Sequence, residues 1–204
     1  MSNVRIDWKL LLGIVIAHLL LYYTFDHTKV FWYLFTGSMF ILIAYSIWIE
    51  DVDDELPLGQ YLLYGIVSGV ILYLLFWFAD FLFDTFEIQY LINQVESLYR
   101  KFAPDKIWHH IVLILIIIPG EEFFWRGFVL KRLLKRTTMW TSIILSTLLY
   151  ASVQLYSGAL LLVLAALASG LVWGYLYAKK RSLPLVIISH LIFDLLLLVL
   201  FPLI

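Results

Sequence analysis

Apolar residues fill long blocks of this chain, and polar positions gather in short clusters between them. The blocks predict seven membrane-spanning helices at about 8–24, 30–49, 60–83, 108–130, 138–155, 158–178 and 183–203, because about 20 apolar residues cross a bilayer as a helix. A transmembrane barrel would need alternating strands of about 10 residues, and these blocks are too long and too evenly apolar for that. Trp8, Tyr22, Tyr23, Trp48, Tyr61, Trp108, Trp140 and Tyr177 flank the blocks, as expected of an interfacial belt. The connection 84–107 is amphipathic and reads as a helix lying on the outer membrane surface. The expected fold is all-α and polytopic, about seven helices in one bundle.

Composition agrees. Hydrophobic residues make up 63% of the chain, charged residues 14%, and the mean hydropathy is +0.94. A soluble domain would carry about a quarter charged residues. The absence of cysteine excludes disulfides and thiolate metal sites. A net charge of -1 gives no footprint for nucleic acid. The first apolar block is long and has no small-residue cleavage site, so it reads as a retained helix and not a signal peptide. With a cytoplasmic N-terminus, Arg5, Lys9, Lys131, Arg132, Lys135, Arg136, Lys179, Lys180 and Arg181 fall inside. Lys29, Arg100, Lys101 and Lys106 fall outside. Nine against four favours that orientation. The acidic loop Glu50–Glu55 also lands inside, though acidic residues weigh little. No internal repeat or second domain is visible, and residues 1–204 read as one integral membrane domain.

The charges inside the blocks are the unusual feature. The sequence "IPGEEFFWRGF", residues 118–128, puts Glu121, Glu122 and Arg126 within a span. Each such charge costs roughly 2.5–3.5 kcal/mol at mid-bilayer. Residues four apart share a helix face, so Glu122 and Arg126 can pair. Glu121 then points about 140° away from Arg126 and is left for a cavity. The alternative is a structural ion pair with Glu121 near an interface, although a second carboxylate beside the pair is hard to justify structurally. In the last span His190 and Asp194 are again four apart, which fits either a helix-packing hydrogen bond or chemistry. Tyr150 and Gln154 share a face of the fifth span, a weak signal in which Tyr150 reads as packing. Gly170 and Gly174 form a small-residue face for close helix approach.

These residues resemble the CAAX protease and bacteriocin-processing family of intramembrane proteases, type II CAAX prenyl endopeptidase-like. Its Glu-Glu-x-x-x-Arg motif matches Glu121, Glu122 and Arg126, followed by Gly127 and Phe128. Its last motif, His followed four residues later by Asn or Asp, matches His190 and Asp194. The run "SGLVWGYLYAKKRSLPLVIISH", residues 169–190, leads into that histidine as in the family. The resemblance covers roughly 108–203, and the spans within 1–107 carry no matched motif. It implies that Glu121 activates water together with a second-motif histidine, while His190 and its partner stabilise the oxyanion, without a metal or other cofactor. A carboxylate in a low-dielectric cavity suits general-base work, and His190 with Asp194 could supply or orient a hydrogen bond to the oxyanion. The departure is at the second motif, an aromatic followed four residues later by His, whose slot holds Tyr150 and Gln154. Glutamine can hold a water but cannot take its proton.

Three readings follow. The first is an endopeptidase acting on a small peptide or membrane-anchored protein in a bacterial plasma membrane. The second is a catalytically weakened relative that binds a partner protein as a scaffold or regulator. The third is a proton relay through Asp80, Glu121, His190 and Asp194, against which no inverted repeat is visible. A metal centre is not expected. No His-Glu-x-x-His helix exists, and the adjacent His109 and His110 face apart near the outer boundary.

Overall fold

The computed structural model describes residues 6–203; Arg5, counted above among the inner cations, lies outside them. The helices are α1 Trp8–Asp26, α2 Phe31–Ile49, α3 Leu58–Thr85, α4 Gln89–Phe102, α5 Ile107–Leu134, α6 Met139–Gln154, α7 Leu160–Lys180 and α8 Leu183–Leu200. Among the described residues the only β pairing is one isolated bridge between Asp54 and Ser182. The molecule is an all-α polytopic membrane protein.

Among the described residues, six helices are long and apolar enough to cross a membrane: α1, α2 with its preceding 3-10 turn, α3, α5, α7 and α8. The remaining expected span, 138–155, is the 16-residue helix α6. At 1.5 Å per residue it reaches only about 24 Å, short of a ~30 Å hydrocarbon core. Thr138 caps its start, and a 3-10 turn leads to Gly158 at φ 69°, where the chain leaves the helix. The amphipathic stretch 84–107 contains α4.

Large apolar side chains such as Ile71, Leu74, Leu75 and Leu115 face outward, a surface suited to acyl chains. Without water to drive helices together, close packing must hold the bundle. Gly65 and Gly69 of α3 supply it for α8. A Cβ at Gly69 would fall 2.5 Å from the Ser189 carbonyl oxygen, and one at Gly65 would fall 2.7 Å from Ile188. The pair Gly170 and Gly174 acts in the same way between α7 and α6, where a Cβ at Gly170 would meet Thr147 at 2.9 Å. Two glycine faces thus clamp the helices that carry the later polar residues.

One end of the bundle is tied by charge. Arg132 donates to Asp7 at 2.8 and 2.9 Å and to Glu50 at 2.6 Å. Lys135 also reaches Glu50, at 2.6 Å. Asp53 accepts from Lys131 and, at 2.8 Å, from the Tyr177 hydroxyl. The acidic loop therefore neutralises the basic end of α5, a pairing that counting charges along the sequence does not reveal. Burial pushes the Asp53 carboxyl up, but the hydrogen bonds from Lys131 and Tyr177 and the nearby cations outweigh it and hold the group below its ordinary value. A depressed carboxylate stabilises the fold above its unfolded value and loses that contribution as pH falls through its folded one. Asp53→Asn should therefore lower the thermal stability at about pH 7 and narrow its gap to wild type at about pH 3. An equal gap at both pH values would contradict this.

Candidate active site

The wide turns of α5 set the site. Segments Leu113–Ile117 and Phe123–Leu130 are π-helical, and they bracket the α-helical turn Ile118–Glu122. Pro119 has no N–H to donate to an i−4 carbonyl, which accommodates a wider turn. Single π turns are frequent at functional sites. Here they hold Glu121, Glu122 and Arg126 buried in the middle of α5.

Glu122 is completely buried, and its Oε1 accepts two hydrogen bonds. One comes from Arg126 at 2.9 Å and the other from His190 Nδ1 at 2.8 Å. An ionised carboxylate only accepts, so His190 carries a proton on Nδ1. The second ring nitrogen, Nε2, lies 3.8 Å from Glu121 Oε2 and 3.5 Å from Asp194 Oδ2. The Tyr150 hydroxyl donates to Glu121 Oε2 at 3.4 Å. Glu121 retains 7% of its surface accessible and Glu122 none. One glutamate is thus occupied by an ion pair, and the other is more loosely held.

Six of the seven candidate residues come together: Glu121, Glu122, Arg126, Tyr150, His190 and Asp194. Tyr150, read from sequence as packing, touches the Glu121 carboxylate. Gln154 lies one turn beyond Tyr150 and is buried, but its side chain makes no hydrogen bond to a described residue. Among the described residues, no group of three or more His, Asp or Glu side chains is arranged to hold a metal ion.

Residues outside the motifs complete the surroundings. The Trp173 ring stacks on His190 with centroids 4.0 Å apart. Its Nε1 donates to Ser189 Oγ at 3.1 Å, and Ser68 of α3 donates to the same oxygen at 2.9 Å. Arg126 lies over both the Tyr150 and the Trp173 rings, at 4.8 and 5.1 Å from their centroids. A tryptophan between Gly170 and Gly174, away from the interfacial belt, is the available sequence signal for this packing. Ser68 links an N-terminal span to the site although that region carries no motif.

A model of the type II CAAX prenyl endopeptidase Rce1-like family matches residues 103–196. The chain resembles that family over this stretch, a little under half of its length. The Rce1-like stretch contains every residue of the cluster, from Glu121 through Asp194, and supports a CAAX-type, protease-like function in the membrane. No curated protein and no solved structure matches the chain.

Proposed function

We propose that this protein is an intramembrane endopeptidase that hydrolyses a peptide bond of a small peptide or membrane-anchored protein. The observation that carries the reading is the placement of Glu121 beside Tyr150 and His190, while Glu122 is occupied by Arg126 and His190. Glu121 takes a proton from water as the resulting hydroxide attacks the carbonyl carbon. Tyr150 stands beside it as a donor for the oxyanion, as does His190 when its Nε2 carries a proton. Collapse of the intermediate breaks the C–N bond, and Glu121 returns the proton to the leaving amine. Asp194 and Glu122 orient His190. The bilayer and a peptide or membrane-protein substrate are the partners, and no nucleic acid is involved. The setting is a bacterial plasma membrane with the N-terminus in the cytoplasm, the orientation favoured by the basic residues. The motif-bearing core is 108–203 within a single membrane domain.

Gln154 favours a second reading, a scaffold or regulator that keeps the fold without efficient hydrolysis. Glu121→Ala and His190→Ala separate the two. In the endopeptidase, both variants insert at normal levels and lose the biological role in the native host. A role kept intact by both would overturn the enzyme reading in favour of the scaffold.

A further inference from the structure

Helix directions place a second feature at the opposite end of the bundle from the Asp7, Glu50 and Asp53 network. The end of α1, the start of α2, the end of α4 and the start of α5 enclose a pocket of about 450 Å³. Lys29, Arg100, Lys101 and Lys106 all line it. These are the four cations assigned above to the outer side, and all four are exposed. None forms an ion pair with a described carboxylate. At the other end, by contrast, Lys131, Arg132 and Lys135 at the end of α5 are paired. The acid in the pocket, Asp105, is held by His109 at 2.6 Å. Trp32 stacks on His109, and Tyr33 packs on Trp108, with ring centroids 4.5 and 4.6 Å apart.

We infer that this pocket binds the phosphate headgroup of an anionic lipid. Four cations against the single Asp105 carboxylate around one cavity favour a phosphate over a zwitterion, by charge complementarity. Trp and Tyr at the same level mark the membrane–water boundary, where a headgroup lies with its acyl chains beside the apolar helices. Cations near an anionic membrane surface add attraction that salt screens. The assignment is independent of the hydrolytic reading.

The test uses the full chain in phosphatidylcholine nanodiscs titrated with phosphatidylglycerol, with bound lipid counted by native mass spectrometry. Wild type should retain phosphatidylglycerol roughly tenfold more strongly than a variant carrying Lys29→Gln, Arg100→Gln, Lys101→Gln and Lys106→Gln. A control with Lys179→Gln and Lys180→Gln, at the other end, should match wild type. Thermal melting of all three proteins verifies that they are folded. Equal retention by wild type and the four-site variant would overturn the inference, as would an equal loss in the control. Excess inorganic phosphate should leave the lipid bound; displacement by phosphate alone would assign the pocket to the free ion and overturn the lipid assignment.

Discussion

Gln154→His should raise peptide hydrolysis by the reconstituted protein well above the wild-type rate. A positioned general base typically contributes about 10²–10⁴-fold, and glutamine cannot take a proton. Position 154 lies one helical turn from Tyr150, whose hydroxyl reaches Glu121 at 3.4 Å. The Gln154 amide is not tied into the hydrogen-bonded cluster, so exchanging it breaks no bond among the described residues. Glu121→Ala should abolish hydrolysis in both the wild-type and the Gln154→His background, because the added imidazole assists the glutamate and does not replace it. The measurement is turnover of a quenched fluorescent peptide in proteoliposomes. A Gln154→His protein that is folded but no faster than wild type would remove position 154 from water activation.

Arg126→Ala should cost about 3–5 kcal/mol of stability, the usual result of removing one partner from a buried ion pair. Glu122 is fully buried, and its Oε2 has no hydrogen-bond partner. Without the guanidinium the carboxylate keeps only the bond from His190. The variant also loses the contacts of Arg126 with the Tyr150 and Trp173 rings, which add to the cost. Glu121→Gln should leave stability close to wild type, because Glu121 makes only the longer contacts of 3.4 and 3.8 Å. Thermal unfolding of both variants in one detergent measures the difference. Equal losses would contradict the separation of a structural glutamate from a reactive one.

Much of this arrangement is legible in the sequence. Long apolar blocks require helices, since a backbone in hydrocarbon must satisfy its own hydrogen bonds. The i to i+4 spacing of Glu122 and Arg126 predicts their pairing, and the same spacing puts His190 and Asp194 on one face. The α6 block, read as 138–155, forms a helix at Met139–Gln154, so its bounds are legible too, and the chain then turns at Gly158. Tyr150 reads as packing because a lone aromatic in a span usually packs, and nothing nearby in the sequence points to Glu121.

Local periodicity places residues on a helix face but says nothing of which distant helix that face will meet. From the sequence alone come the helices, the Glu122–Arg126 pair and the set of residues able to do chemistry. Folding adds the bond from His190 to Glu122 across 68 residues of chain, the stacking of Trp173 on His190, and the loop at Glu50 and Asp53 that caps the basic end of α5. The α3 glycines illustrate the reason. Gly65 and Gly69 remove side chains that would otherwise hold α8 away, and that approach depends on the matching shapes of two helices far apart in the chain.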